Sequence, residues 1–493
     1  MTPVELVLAL DAGTSGVRAV AFDADTNVRD SAYHELTQHF PRPGEVEHDA
    51  QEIAALCVAT LRDVAVRARA NGDEIVALGI TNQRETTVAF DRETGELPHR
   101  AIVWQDRRTA AYCEELNARG ETPTVRSVTG LVLDSYFSAT KMRWFLDHGA
   151  MDNLRAPSFA TVDSWLTWWL TGAVDGGVFA TEPSNASRTM LMDLTTLRWS
   201  EEMATLFDVD PAMLATIQPS LSTFGTVDAK VIPELAGVPI TGILGDQQSA
   251  LFGQACFRPG VVKATYGTGA FILANVGPEN PGVFDGLITT LAWDLGDAAP
   301  TYAVEGSAFV AGAAVQWLRD EMGFLDDSSE LESLALSVFD SAGVQFVPAF
   351  TGLGSPFWRS DARGSITGLS RGVGRGQIAR ALVEALAYQV RAMTDAFGDA
   401  GIALHELRAD GGAAVMDLLL QLQASNSKLP VLRSTSLEAT ARGAATIAGL
   451  GAGLWSSLDQ LNDLWRHDRR FEPEDPLFVD LGYVAWRRAL EHA

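Results

Sequence analysis

The sequence predicts an α/β protein with two domains around a central cleft, and three observations lead to this. Strand and helix patterns alternate in the first third of the chain, which is typical of α/β architecture. At 493 residues the chain is longer than one hydrophobic core usually organises. A strand–turn–strand pattern at the start returns near the middle. We therefore expect an internal duplication in which each domain presents one turn of small residues to the cleft.

The first element is the stretch LALDAGTSGVR, which joins apolar strands at 4–10 and 17–22. Taken alone, it fits a β-hairpin in which Asp11 hydrogen-bonds its own turn. Taken with similar turns later in the chain, it also fits a phosphate-binding turn. Glycine lets the backbone approach an anion closely, and the N–H groups of a tight turn point at that anion. Thr14 and Ser15 would add hydroxyl donors, and Arg18 would add a positive charge.

The next elements are a helix and three strands. Asp49 can cap the helix, Glu52 three residues later gives a start like a capping box, and Gly72 follows the helix end. Apolar runs then predict a strand at 75–82 and two short strands at 86–90 and 101–104. The strand at 75–82 leads into the polar cluster TNQRET, which predicts a change of direction at that point.

Arg84 and Glu85 lie in this polar cluster. Neighbouring residues in a strand face opposite sides of the sheet. Both side chains can therefore reach one ligand only where the strand ends or bends. The alternative interpretation is an ordinary ion pair on the protein surface.

The pattern of strands and glycine turns resumes in the second half. A strand at 240–244 ends at Asp246 and Gln247. The run VVKATYGTGAFILANV then predicts a strand, a turn containing Thr268, and a second strand. The run LRADGGAAVMDLLLQLQAS predicts a strand, a Gly-Gly turn and a helix. We place the domains at 1–254 and 255–493, with a mainly helical end after about residue 436.

Composition and charge exclude several partners. Asp and Glu outnumber Lys and Arg by 63 to 37, so the net charge of −26 should repel nucleic acid and anionic membranes. Cys57, Cys113 and Cys256 form no C-x-x-C pair and resemble buried small hydrophobic residues in a reducing compartment. The amino-terminal stretch lacks the pattern of a secretory signal. We expect a cytoplasmic protein that neither binds nucleic acid nor inserts into a membrane.

Longer motifs then point to a family: ITNQRETTV, IVWQDRRT, SNASRTML, GDQQSALFGQ, TYGTG, EGSAFVAGAAVQWLRDE, FTGLGSPFW and ARGSITGLSRG. With these motifs the chain resembles the glycerol kinases of the FGGY family of carbohydrate kinases, from about residue 4 to about residue 455. The resemblance implies two ribonuclease-H-like domains, as in actin and hexokinase. It implies phosphorylation of glycerol by ATP and Mg²⁺ to sn-glycerol 3-phosphate, the first step of glycerol catabolism. It also implies a homo-oligomer, a dimer or a tetramer.

The resemblance assigns functional roles to the matching residues of this chain. It makes Asp246 the catalytic base and places Asp11 and Asp246 at the metal. Its glycerol site consists of Arg84, Glu85, Tyr136, Asp246 and Gln247, with Trp104 and Phe271 as apolar walls. Its nucleotide site consists of Thr14, Ser15, Gly16, Arg18, Thr268, Gly312, Gln316, Gly412 and Met416. For the two aromatic walls, ordinary core packing is the alternative.

The chain departs from the family pattern in two places. Where the family usually has DQGTTSSR this chain has DAGTSGVR, so Ala12 removes an amide while Gly16 and Val17 remove hydroxyls. Met416 stands where the family places an asparagine on adenine, and methionine cannot reproduce a directed hydrogen bond. Two alternatives stay open: a kinase of this fold acting on a longer polyol or sugar, and a ligand-binding regulator whose nucleotide site has decayed.

Overall fold

The computed structural model describes residues 4–359, 361–436, 438–474 and 476–493. The strands are β1 (Glu5–Ala12), β2 (Gly16–Phe22), β3 (Val28–Glu35), β4 (Glu47–His48), β5 (Glu74–Asn82), β6 (Val88–Asp91), β7 (Ala101–Ile102), β8 (Pro157–Ala160), β9 (Ala180–Thr181), β10 (Met192–Asp193), β11 (Arg198–Trp199), β12 (Thr216–Ile217), β13 (Ile240–Gly245), β14 (Val261–Tyr266), β15 (Ala270–Gly277), β16 (Ile288–Trp293), β17 (Thr301–Ala308), β18 (Gln345–Val347), β19 (Ser365–Thr367), β20 (Glu406–Asp410), β21 (Val431–Ser434) and β22 (His467–Phe471).

Helices alternate with these strands. The α-helices are α1 (Ala50–Asn71), α2 (Ala110–Ala118), α3 (Thr122–Thr129), α4 (Ser138–Asp147), α5 (Val162–Leu170), α6 (Pro183–Ala186), α7 (Glu201–Phe207), α8 (Asp246–Gly253), α9 (Gly312–Asp320), α10 (Glu330–Leu336), α11 (Arg375–Asp399), α12 (Asp417–Ser427), α13 (Ala439–Gly451), α14 (Leu458–Leu464) and α15 (Pro476–Glu491). Short 3₁₀ helices cover Ala173–Asp175, Pro211–Met213, Pro233–Leu235 and Gly412–Val415. Within the described ranges, no helix is both long enough and apolar enough to cross a bilayer.

Two main sheets repeat one strand arrangement. The first has the order β13–β5–β1–β2–β3, in which β1, β2 and β3 are antiparallel neighbours and β5 and β13 run parallel to β1. The second has the order β16–β17–β15–β14–β20–β21–β22. Its strands β14, β15 and β17 are antiparallel neighbours, and β20 and β21 run parallel to β14. This repeat confirms the predicted α/β fold with two related domains.

The two sheets are joined by the helices α8 and α13. Helix α13 packs on β1, β5 and β13 of the first sheet, although it lies late in the sequence, and α8 packs on β14, β15 and β16 of the second. A Cβ atom at Gly443 of α13 would lie 1.8 Å from the carbonyl oxygen of Ser249 on α8. The two helix backbones are therefore in direct contact, which only glycine permits here. This contact fixes the position of α8, whose first residue is Asp246.

Helix α1 begins and ends where the sequence predicts. The Asp49 carboxylate accepts hydrogen bonds from the backbone N–H groups of Gln51 and Glu52, and the helix ends at Gly72 with φ +81°. The predicted capping-box role of Glu52 is wrong. Its carboxylate instead accepts a hydrogen bond from the Thr37 hydroxyl at 2.7 Å, because the loop after β3 passes beside the first turn of α1.

The short strands and the carboxy-terminal region differ from the prediction in detail. The strand predicted at 86–90 begins at Val88, and the one predicted at 101–104 ends at Ile102. The chain leaves the strand after Ile102, and the Trp104 backbone N–H donates to the Thr86 hydroxyl at 3.2 Å. The region after residue 436 is mainly helical but adds the edge strand β22 to the second sheet. The three cysteines are buried and free of disulfides, as expected.

Candidate active site

The polar cluster after β5 is folded inward. Asn82 ends the strand, and Arg84 and Glu85 are each only 2% exposed, which rules out a surface ion pair. Glu85 has φ +62°, in the left-handed region that residues with a side chain seldom adopt. This turn of the backbone is the predicted bend. It lets the side chains of Arg84 and Glu85 enter the same cluster of charged residues. Backbone strain of this kind concentrates at functional sites.

Arg84 is the centre of a buried network of charges. Its Nε lies 3.0 Å from the Asp246 carboxylate, and its Nη1 donates to Glu305 at 2.7 Å. Arg188 donates from Nε to Glu85 at 2.7 Å and from Nη2 to Glu305 at 3.1 Å. Two arginines thus alternate with carboxylates, and each acid is paired with a base.

Burial and pairing compete in setting the charges of this network. Burial raises the pKa of Glu305, but the charges of Arg188 and Arg84 outweigh it and lower that pKa to about 2. Burial opposes the charge of Arg84, but Glu305 and Glu85 hold the pKa of the guanidinium above its ordinary value. For Glu85, burial dominates and raises the pKa of the carboxyl despite Arg188 and Arg84. The network is therefore an ionised Arg84–Glu305–Arg188 core with Glu85 at its edge.

Asp246 and Gln247 lie where β13 gives way to α8. The Asp246 side chain is 31% exposed, and one of its oxygens accepts the backbone N–H of Gln247 at 2.7 Å. The Gln247 side-chain oxygen accepts a hydrogen bond from the ammonium of Lys263, which is fully buried on β14. Asp246 is thus an accessible carboxylate beside a buried guanidinium.

Aromatic rings form an apolar surface beside these charged residues. The rings of Trp104 and Tyr136 meet edge to face with centroids 5.6 Å apart, and the Tyr136 ring also meets Phe309 at 6.5 Å. The indole N–H of Trp104 donates to the Thr14 hydroxyl at 2.9 Å, so the ring joins this group to the first turn. Phe271 lies on β15, opposite Thr265 on one neighbouring strand and Ser307 on the other.

The first turn is a β-hairpin that is open at its tip. The Gly13 N–H donates to the Gly16 carbonyl at 3.0 Å, and Ser15 is exposed. Gly16 is buried, and a Cβ atom there would lie 2.5 Å from the Tyr33 hydroxyl, so glycine at this position makes room for Tyr33. Arg18 forms an ion pair with Glu438, immediately before α13.

Asp11, on β1 below this turn, is in an unusual electrostatic environment. Burial, followed by the negative charge of Asp246, raises the pKa of Asp11 to about 7, although Arg18 opposes the shift. The carboxylates of Asp11 and Asp246 are therefore close enough to repel each other. Among the described residues, no group of three or more His, Cys, Asp or Glu side chains is placed to hold a metal ion.

The second and third turns lie at one end of the second sheet. The Thr268 carbonyl accepts the N–H groups of Ala311 and Ala313, and the Gly267 carbonyl accepts that of Gly312, so this turn covers the start of α9. Gln316 is exposed one helical turn further along α9.

The Gly-Gly turn after β20 approaches the second turn. A Cβ atom at Gly411, where φ is +89°, would lie 2.6 Å from the Tyr266 carbonyl oxygen. Gly412 next to it is exposed, whereas Met416 is 7% exposed and belongs to the core of the second domain. The second and third turns thus meet at the same end of the second sheet.

Sequence reasoning gave no role to several residues of this site. Arg188 and Glu305 lie inside the quoted motifs SNASRTML and EGSAFVAGAAVQWLRDE, and Lys263 interrupts the apolar strand VVKATY. A charged residue inside an apolar strand was the available signal, because such residues are seldom buried unless paired. Their partners could not be read from the pattern, since Arg84 and Glu305 are 221 positions apart.

His48 stabilises the first turn, and its buried ring makes the stability of the protein depend on pH. Its ring is fully buried, and its Nδ1 accepts from the Gln83 amide, which also donates to the Gly13 carbonyl. Burial lowers the pKa of His48 from 6.5 to about 4. The unfolded chain protonates first as pH falls, so stability is lost between pH 6.5 and 4, by about 2 kcal/mol at pH 5.

We expect His48→Asn to lack this part of the acid sensitivity while keeping an acceptor for Gln83. Urea unfolding of both proteins at pH 7.5 and pH 5 measures it: the wild type should lose about 2 kcal/mol more than the variant. Equal losses for the two proteins would contradict the assignment.

Comparisons with known proteins show relatives of this chain in sequence and in fold. Models of the FGGY family of carbohydrate kinases match at residues 6–253 for the N-terminal domain and 262–452 for the C-terminal domain. A glycerol kinase of Symbiobacterium thermophilum is 48% identical, covering 99% of this chain and 98% of the relative. A glycerol kinase of Albidiferax ferrireducens is 50% identical over 95% of each chain. The crystal structure of Plasmodium falciparum glycerol kinase with ADP superposes with a TM-score of 0.91 at 35% identity, covering 99% and 98% of the two chains.

Proposed function

Because this chain belongs to the FGGY family of carbohydrate kinases, we propose that it transfers the terminal phosphoryl group of ATP to glycerol, giving sn-glycerol 3-phosphate. The observation that carries this proposal is the charged cluster in which Arg84 lies 3.0 Å from Asp246 and Arg188 lies over the Tyr136 ring, 5.5 Å from its centroid, next to Trp104. Glycerol has hydroxyl groups along one edge and three carbons along the other. Charged and amide groups suit the first edge, and the rings of Trp104 and Tyr136 suit the second.

Each acceptor residue has a role that follows from its contacts. Asp246 is the base, because its carboxylate is the accessible one and can take the proton of the attacking hydroxyl. Arg84 holds that carboxylate in place, and Glu85, Gln247 and Tyr136 bind the remaining hydroxyls. Phosphoryl transfer depends mainly on positioning and charge stabilisation, so a fixed Asp246 contributes more than a mobile one. Phe271 adds to the apolar wall.

The nucleotide would occupy the turns. Thr14, Ser15 and Thr268 supply hydroxyl and backbone donors to its phosphates, and Arg18 supplies a charge that Glu438 neutralises in this structure. Gly16 shapes the first turn from beneath. The remaining nucleotide positions are Gly312 and Gln316 on α9, Gly412 in the Gly-Gly turn, and Met416, which follows that turn and lies in the core of the second domain.

Magnesium fits the two acidic residues between these sites. The raised pKa of Asp11, about 7, arises from burial and from the nearby charge of Asp246, and a divalent cation would relieve both effects. Mg²⁺ commonly binds to one or two carboxylates together with substrate phosphates, so three protein ligands are not required. Asp11 and Asp246 would hold it. When bound, Mg²⁺ neutralises charge on the transferring phosphoryl group.

Three further proposals rest on the sequence. We place the protein in the cytoplasm and propose that it forms a dimer or a tetramer. We divide the chain at residue 254, which lies directly after the end of α8 at Gly253.

Met416 gives a prediction on nucleotide choice. We expect discrimination between ATP and GTP to be weak in the wild type and to increase several-fold in Met416→Asn. One directed hydrogen bond contributes about 0.5–1.5 kcal/mol, and methionine cannot supply it to adenine. The ratio of kcat/KM values for ATP and GTP measures this in both proteins, and an identical ratio would contradict the role of Met416.

An acceptor screen tests the proposed function. ADP release is followed with glycerol, with xylulose, with gluconate and without an acceptor. We expect release to depend on glycerol and to be slow with the sugars. Release with a sugar alone would favour a kinase for a longer acceptor, and no release with any of them would favour a binding protein.

A further inference from the structure

Two buried charges of the second domain reach into the acceptor site. Glu305 on β17 is 1% exposed and Lys263 on β14 is fully buried. Both are paired with Leu273 of the intervening strand β15, so the three side chains form one row on the same face of the sheet. Leu273 belongs to the core cluster shared by the two domains, so this row faces the first domain.

Each charge is bonded to a different side chain of the acceptor site. Glu305 accepts from Arg84 at 2.7 Å and from Arg188 at 3.1 Å, and Ser307 donates to it at 3.0 Å. Lys263 donates to the side-chain oxygen of Gln247. Arg84 and Gln247 lie before the domain division and both charges lie after it, so these contacts run from one domain to the other.

The chemistry of these partners fixes orientation as well as position. An ammonium group can only donate hydrogen bonds, so it must face the oxygen of the Gln247 amide, which leaves the amide NH₂ to donate elsewhere. A carboxylate can only accept, so Glu305 engages the Nη atoms of Arg84 and leaves its Nε directed at Asp246. Burial lowers the pKa of Lys263 to about 8, although Asp410, Asp246 and Glu305 favour its charged form.

We propose that Glu305 and Lys263 are positioning residues of the acceptor site, which orient Arg84 and Gln247 across the domain boundary and thereby set affinity for the polyol. The proposal rests on the proposed function and deepens it. Acceptor binding then requires both domains, because Arg84 and Gln247 of the first domain are held by Glu305 and Lys263 of the second. We expect nucleotide affinity to depend mainly on the turns and to change less than acceptor affinity when this row is altered.

The test compares Glu305→Gln and Lys263→Met with the wild type. We expect the KM for glycerol, and its Kd by calorimetry without nucleotide, to rise by about 10–100-fold, because small displacements of a supported group cost this much. The KM for ATP should stay within about two-fold. Lys263→Arg, which keeps a buried donor, should recover part of the affinity lost in Lys263→Met.

Glu384→Gln is the matched control. Glu384 is a nearly buried carboxylate on α11 that is bonded to Arg380 at 2.7 Å, away from the acceptor site. Its substitution removes a comparable charge and should leave the glycerol KM unchanged. A similar rise in this control would show a general loss of packing and would overturn the proposal.

Other outcomes also decide the question. Unchanged glycerol KM and Kd in both variants of an active wild type would refute the positioning roles and leave the proposed function standing. A wild type that does not phosphorylate glycerol would refute the proposed function itself. If Glu305→Gln does not fold, the comparison of Lys263→Met with Lys263→Arg tests the proposal by itself. An equal rise in the KM values for ATP and glycerol in Lys263→Met would overturn the proposal.

Discussion

Replacing Asp246 by asparagine is expected to lower kcat by about 10²–10⁴-fold, which is about 3–5 kcal/mol of activation barrier. The amide keeps the size and one acceptor oxygen but cannot take the proton of the attacking hydroxyl. Arg84, 3.0 Å from this carboxylate, keeps its bonds to Glu305, so the rest of the site should stay in place. The glycerol Kd should therefore change much less than kcat.

Asp11→Asn is the comparison variant for this experiment. In the proposed mechanism its carboxylate holds Mg²⁺, so raising the Mg²⁺ concentration should restore part of the activity of this variant. Asp246→Asn should recover much less, because added Mg²⁺ can compensate for a lost metal ligand but not for a lost proton acceptor. Steady-state rates across a Mg²⁺ titration, with glycerol binding measured by calorimetry, separate the two. Near wild-type turnover of Asp246→Asn would show that another group is the base.

Replacing Arg188 by methionine is expected to lower the free energy of unfolding by about 3–5 kcal/mol. The Arg188 side chain is fully buried between Glu85 and Glu305, at 2.7 and 3.1 Å. Methionine fills part of the space but leaves two buried carboxylates to share Arg84. An unpaired buried charge is costly, and this cost is larger than the net contribution of the pair itself.

Arg143→Met is the matched control for Arg188→Met. Arg143 also pairs with two carboxylates, Asp147 and Asp208, but these are 52% and 86% exposed. Surface pairs contribute about 0–1 kcal/mol, so this variant should be nearly as stable as the wild type. Urea unfolding of the three proteins measures the difference. Equal losses for the two variants would mean that the buried network does not stabilise the fold in the way described.

Local features of the fold were predictable from the sequence. The hairpin β1–β2 and the ends of α1 were predicted closely, because apolar runs, turn residues and the Asp49 cap act over a few positions. The role of Glu52 was mispredicted because its partner Thr37 lies on the preceding loop, 15 positions away. The family that the motifs indicate is confirmed by the family models and by the relatives.

The candidate site was predictable only in part. The cluster TNQRET indicated a bend, and the structure has it at Glu85. The burial of Arg84 and Glu85 could not be predicted from the sequence, because the charged groups that neutralise them come from distant parts of the chain. Arg188 is 103 positions from Glu85, and no local spacing rule connects them. Long-range pairing of charges is decided by the tertiary fold, within the first domain for Arg188 and Glu85 and between the domains for Arg84 and Glu305.

The most direct test of the central claim is the identity of the product. The purified protein is incubated with ATP, Mg²⁺ and glycerol, and the products are followed by ³¹P NMR and by a dehydrogenase specific for sn-glycerol 3-phosphate. We predict ADP and sn-glycerol 3-phosphate in equal amounts, with little inorganic phosphate. Inorganic phosphate as the main product, or a phosphate ester that the dehydrogenase does not oxidise, would contradict the account.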